Sequence, residues 1–128
     1  MAGKITGSAG ILLVADVVKA ANYYRDKLGF SYDRFWDDPP AFVILNRDDH
    51  HVMLRQVDDP ANVVPHGKVV DKMWNLYFWV DDVEAVYQEM KTSGATIDYE
   101  MEMQEYGVKE FGVQDLDGHH MAFGQIID

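Results

Sequence analysis

Val17, Ala20, Ala21, Tyr24 and Leu28 fall at i, i+3, i+4, i+7 and i+11, one apolar stripe of an amphipathic helix. Asp16 stands just before the stripe as an N-cap, and Gly29 just after it as a C-terminal stop. The same design returns at Val83, Val86, Tyr87 and Met90, between Asp82 and Gly94. After each helix the pattern changes to β-type runs. These lie at about 30–36, 41–47 and 50–57 in the first half, and about 95–102, 107–114 and 119–127 in the second. Asp37-Asp38-Pro39-Pro40, Arg47-Asp48-Asp49 and Asp115-Leu116-Asp117-Gly118 read as turns between them. With an opening strand each, at about 8–15 and 73–80, the pattern is βαβββ twice, an α+β fold.

The two halves echo each other in sequence as well as in pattern. Val14, Asp16, Val17, Ala20, Ala21 and Tyr24 align with Val80, Asp82, Val83, Val86, Tyr87 and Met90 at a spacing of 66. Asp48-Asp49-His50-His51 aligns with Asp117-Gly118-His119-His120 at a spacing of 69. One unit has been used twice, and a repeated unit builds a pseudo-symmetric molecule. The organisation expected is a first module over 1–57, a linker over 58–72 with Pro60, Pro65 and Gly67, and a second module over 73–128.

Strand parity separates core from surface, because successive side chains on a strand point to opposite faces. Val52 and Leu54 share one face, Leu76, Phe78 and Val80 another, and Met121 and Phe123 a third. These wholly apolar faces are expected beneath the helices. The opposite faces carry His51, Met53 and Arg55, then Asn75, Tyr77 and Trp79, then His120, Ala122 and Gly124. Large aromatic residues on an otherwise mixed face mark a binding surface. The expectation is a curved mixed sheet, a cup, with helices on its outer side.

Charge narrows the guest. The 128-residue chain carries 22 acidic and 11 basic residues, a net charge of −11, which argues against nucleic acid. It contains no cysteine, which excludes disulfides and thiolate chemistry. No stretch approaches the roughly 18 apolar residues of a membrane span, and no signal-peptide pattern is read at the start. A cytoplasmic protein without membrane or nucleic-acid partners is expected.

Val14-Ala15-Asp16 followed by Tyr23-Tyr24-Arg25-Asp26-Lys27-Leu28-Gly29-Phe30, and the closing run from Tyr106 through Asp115-Leu116-Asp117-Gly118-His119, resemble the signatures of the vicinal oxygen chelate superfamily. That superfamily includes glyoxalase I, extradiol dioxygenases, fosfomycin-modifying enzymes and bleomycin-resistance proteins. Leu116 stands where a proline is usual. The resemblance implies a divalent metal held on the first, fourth, fifth and eighth strands, at positions that map onto Ala9, Met53, Asn75 and Ala122. Two alkyl side chains, a thioether and an amide cannot hold a hard divalent ion. His50-His51 and His119-His120 cannot chelate as adjacent pairs and read as polar rim residues, although His51 and His120 share the cup face with Glu110 nearby.

The reading that follows is a metal-free, cofactor-free binding protein resembling the bleomycin-resistance type. It would sequester a cationic or aromatic small molecule between the chains of a homodimer. His51, Met53, Arg55, Asn75, Tyr77, Trp79, Glu110, His120 and Ala122 are its expected binding residues. Trp36 and Trp74 are available for stacking, and Asp98, Glu100, Glu102 and Glu105 for attraction of a cation. The alternative is a lyase, isomerase or dioxygenase with relocated ligands, or one using Glu110, His51 or His120 as acid or base.

Overall fold

The computed structural model describes residues 3–127. The first module comprises β1 (Ala9–Val14), α1 (Val17–Leu28), β2 (Phe35–Trp36), β3 (Phe42–Arg47) and β4 (His50–Gln56). Single-turn 3-10 helices at Pro60–Asn62 and His66–Lys68 lead to the second module. It comprises β5 (Leu76–Trp79), α2 (Val83–Ser93), β6 (Thr96–Met103), β7 (Val108–Gln114) and β8 (His120–Ile126). Each module folds into a four-stranded mixed sheet, ordered β1-β4-β3-β2 and β5-β8-β7-β6.

Both helices start and stop where the stripes do, for matching local reasons. Asp16 accepts from the Lys19 amide at 3.0 Å and Asp82 from the Ala85 amide at 3.1 Å. Gly29 and Gly94 close the helices with φ of 77° and 89°, a region that glycine enters without steric cost. A further pair lies outside the stripes. Gln56 takes the first helical amide of α1, at Val17, and Gln125 takes that of α2, at Val83. Each module therefore ties the end of its last strand to the start of its own helix.

Parity behaves as expected from the sequence. Val43, Leu45, Val52, Leu54, Phe111, Val113, Met121 and Phe123 join the helix stripes in one buried cluster spanning both modules. The second strand is shorter than expected. Only Phe35 and Trp36 pair with β3, and Ser31 makes an isolated bridge to Asn46. The cause is Phe30, which packs edge-on against Tyr24 at 5.7 Å in the core, so the chain dives inward after Gly29 instead of joining the sheet edge.

The modules meet along the free edges of β1 and β5, and a buried polar network fastens them. Asp115 accepts from the Tyr24 hydroxyl of α1 at 2.8 Å and from the backbone amides of Asp117 and His119, both at 2.9 Å. His119 Nε2 donates to the Leu13 carbonyl of β1 at 2.7 Å, and Asp117 accepts from the Ala15 amide. His119 is thus a buried fastener, not the rim residue its place at a strand start suggests. Its neighbours explain why: the β7–β8 turn lies against the first module, so a side chain at the turn's end meets protein rather than water.

Burial pushes the Asp115 carboxyl above the usual carboxylate range, while His119 and the Tyr24 hydroxyl pull it partly back. A carboxyl raised in the folded state takes up a proton more readily there than in the unfolded chain. Its contribution to stability is full below the unfolded pKa and is lost as pH rises through the folded one. Tyr24→Phe removes a donor that holds the carboxyl down. It should raise Asp115 further, cost about 1–3 kcal/mol at neutral pH, and cost less once Asp115 is protonated. Urea unfolding of both proteins at neutral and acidic pH checks this; an equal loss at both would reject the role given to Asp115.

Candidate functional site

The faces turned away from the helices differ between the modules. In the second module this concave face is filled. Trp74 and Tyr77 meet edge-on at 4.8 Å, and Tyr77 and Trp79 lie tilted at 5.0 Å, so three aromatic rings form a row. The row ends in Trp79, whose indole is 68% exposed. Beside it on β7 lies Glu110, only 1% exposed. Glu110 accepts from the Tyr77 hydroxyl at 2.7 Å and from the Tyr99 hydroxyl at 2.6 Å, and Trp74 Nε1 donates to Tyr99 at 3.1 Å.

Two glycines make this arrangement possible. Gly112 lies opposite Ala122 and Gly124 opposite Glu110 on the paired β7 and β8 strands. A Cβ at Gly112 would overlap the Tyr99 ring, and one at Gly124 would overlap the Tyr77 hydroxyl. Glycine inside a strand thus marks a close approach by a large neighbour. Desolvation and the Glu110 carboxylate both raise the phenols of Tyr77 and Tyr99 well above the usual tyrosine range. Partial desolvation, then Glu110, pushes Tyr106 up to about 12.

The concave face of the first module is open and more apolar. Ile11 is 62% and Leu13 44% exposed there. Met53 pairs across the sheet with Ile11 on one side and Ile44 on the other. His51 and Arg55, both exposed, flank Met53 on the same face, and Arg55 folds back onto the carbonyl of its neighbour Gln56.

The expected binding residues therefore divide into groups. Tyr77, Trp79, Glu110 and Ala122 come together on the second module, with Ala122 fully buried beneath the rings. His51, Met53 and Arg55 lie on the first module. Asn75 accepts from the amides of His66 and His120, which turns it toward the linker. His120 is held by Asp98, at 2.8 Å from Nδ1. Among the described residues neither His51 nor His120 hydrogen-bonds to Glu110, whose partners are phenols.

Tyr99 and Tyr106 belong to this site and parity misses them. Register shifts around Tyr99 break the alternation of β6, so a residue counted from Ile97 lands on the unexpected side. Gly112 was the available signal for Tyr99, since it left room for that ring.

The positions that the sequence resemblance assigns to a metal are Ala9, Met53, Asn75 and Ala122. Their side chains offer one amide oxygen, already used by two backbone amides, and a thioether. This donor set does not fit a divalent ion. Among the described residues no three His, Asp or Glu side chains are grouped to hold one.

Residues 6–123 match the family model described as glyoxalase/bleomycin resistance protein/dioxygenase superfamily. The chain belongs to that superfamily. No curated protein matches this superfamily member in sequence. Its fold is similar to that of TioX from Micromonospora sp. ML1, with a TM-score of 0.75 and 21% identity over 94% of this chain and 98% of that one. It is similar to the bleomycin-binding protein of bleomycin-producing Streptomyces verticillus, solved with copper(II)-bleomycin, at TM-score 0.71 and 24% identity over 95% and 97% of the two chains. A glyoxalase/bleomycin resistance protein/dioxygenase from Alicyclobacillus acidocaldarius gives a TM-score of 0.77 at 16% identity, over 95% and 92%. No helix among the described residues is long and apolar enough to cross a membrane.

Glu110→Gln tests the polar centre of this face. Losing the carboxylate charge should bring Tyr106 back toward the ordinary tyrosine value near 10, and lower Tyr77 and Tyr99 with it. Titration followed by the Tyr Cζ resonances reads each phenol separately. An unmoved Tyr106 would show that burial alone sets its value.

Proposed function

We propose that this superfamily member is a metal-free binding protein that sequesters a cationic or aromatic small molecule on its concave faces. The observation that carries the reading is the aromatic row of Trp74, Tyr77 and Trp79, ending in an exposed indole on the face that holds Glu110. Such a row offers stacking and cation–π attraction. The net charge of −11 raises the encounter rate of a cation, most strongly at low salt. The likeness to a bleomycin-binding protein supports a guest of that character.

The site in this reading joins His51, Met53 and Arg55 of one chain to Tyr77, Trp79, Glu110, His120 and Ala122 of another, with Asn75 at the linker side. The open apolar face around Ile11 and Leu13 supports a homodimer, because a monomer would leave that patch in water. A twofold pairing that sets each open first module against a filled second module buries both. A cytoplasmic role in antibiotic resistance accords with this reading. The acid–base alternative has weaker support, since both Glu110 oxygens accept from phenols and His120 faces Asp98.

Titration with metal-free bleomycin as the probe, followed by tryptophan fluorescence, tests the reading. Binding should quench emission, and Trp79→Ala should weaken it by about 1–3 kcal/mol without lowering stability by a similar amount. Light scattering should give about twice the 14.6 kDa of one chain. A monomer would remove the composite site, and quenching unchanged in Trp79→Ala would remove the aromatic row from it. About one equivalent of zinc, iron, manganese or nickel per chain by elemental analysis would end the metal-free reading.

A further inference from the structure

The pseudo-twofold axis relates two cavities along the seam between the modules, and at only one of them does a buried histidine of the chain close the seam by bonding to a strand carbonyl. On one side the space bounded by Gly10–Leu13 of β1, Asn75 and Leu76 is about 300 Å³, with the His119 imidazole and the linker residues Asn62, Val64 and His66 in its wall. Its counterpart is bounded by Leu76–Trp79 of β5 with Ala9 and Gly10, and measures about 670 Å³. There the equivalent histidine, His50, is exposed.

A difference of one residue in turn length accounts for this. In the second module Leu116, Asp117 and Gly118 separate the paired residues Asp115 and His119. In the first module only Asp48 and Asp49, both in the left-handed region at φ of 50° and 65°, separate the paired residues Arg47 and His50. The longer turn carries Asp117 to the Ala15 amide and His119 to the Leu13 carbonyl. Among the described residues, the shorter turn sends no hydrogen bond to the equivalent groups, the Asp81 amide and the Trp79 carbonyl. It reaches the second module at the outer rim instead, where Arg47 pairs with Glu89 at 2.8 Å.

The apolar lining records the same asymmetry. Leu12, Val14 and Ala20 are buried on the closed side, whereas their equivalents at a spacing of 66, Phe78, Val80 and Val86, are only half-buried and line the open cavity. The Val80 amide donates to Gly124 within the sheet. Alternation then turns the Trp79 N–H and C=O toward the free edge, as it does for Leu13. The open cavity thus offers an apolar slot, a backbone carbonyl acceptor, and Asp48 and Asp81 at its mouth.

We propose that this cavity binds a planar nitrogen heterocycle that presents a ring N–H, the chemistry the His119 imidazole supplies on the closed side. The ring lies among Phe78, Val80 and Val86, and its N–H donates to the Trp79 carbonyl. Arg47, also in the lining, faces Asp48 at 3.6 Å, which leaves Asp81 at the mouth to favour a heterocycle that carries positive charge outside the slot. The cavity opens between the modules of one chain. The inference therefore stands whether or not the concave faces bind a guest, although Tyr77 and Trp79 border both places.

Benzimidazole is the probe, with N-methylbenzimidazole as a control that keeps the ring system but lacks the N–H. In titrations of the full chain followed by amide and methyl resonances, benzimidazole should shift Phe78, Trp79, Val80 and Val86, and show intermolecular NOEs to the Val86 and Val52 methyls. The N-methyl compound should bind at least about five-fold more weakly. Val86→Phe, which fills the slot, should abolish these shifts, and Glu110→Gln should leave them intact. If Val86→Phe does not fold, the NOEs in the wild-type protein decide the location alone. Absence of those NOEs at saturating probe, shifts that survive Val86→Phe, or equal binding of the two compounds would each overturn the proposal.

Discussion

A strand can give only every second side chain to a core. With both helices on one side of the sheets, Val52, Leu54, Met121 and Phe123 are committed to the buried cluster, and the residues between them must face elsewhere. The two concave faces follow from that commitment. The alternate residues of the second module, Tyr77 and Glu110, close into a hydrogen-bonded layer with Tyr99. Those of the first, Ile11, Leu13 and Met53, stay open. Two copies of one unit thus satisfy the same constraint in opposite ways.

Glu110 shows the energetics of the filled face. A carboxylate withdrawn from water is costly unless its oxygens find donors. Tyr77 and Tyr99 supply one each, and neither phenol could approach if Gly112 or Gly124 carried a Cβ. The phenols are raised in return, first because burial disfavours the phenolate and then because ionising either would place a second negative charge against Glu110. The layer is therefore held by neutral donors around one acid, and it needs no cation from within the chain. A positively charged guest beside Trp79 meets a face whose acidic group is already desolvated and oriented.

The helices, their caps and the identity of the buried faces were legible in the sequence because each rests on local periodicity. Asp16, Gly29, Asp82 and Gly94 act where the stripes place them. What periodicity does not carry is a register shift or a tertiary contact. Tyr99 escapes the count because β6 slips against β7 on either side of it. His119 escapes because its burial depends on how one turn lies against another module, and nothing near His119 in sequence encodes Leu13. Phe30 escapes as well: a short apolar run after Gly29 reads equally as a strand and as a plug for the core.

The seam adds a consequence of duplication. Stability requires the two modules to be joined, but the pseudo-twofold axis offers two equivalent places to join them. Asp115, His119 and Tyr24 form a buried connection at one of them. At the other, Arg47 makes a bidentate ion pair with Glu89 at the rim and donates to the Leu28 carbonyl, so the connection lies at the outer edge and leaves the space beneath it open. One closed seam suffices to fix the relative position of the modules, so the other can remain open without loosening the fold. The exposed half of Phe78, Val80 and Val86 then persists as apolar surface on a rigid wall. A cavity of that kind comes at low cost in a duplicated fold, because the copy across the axis bears the structural load.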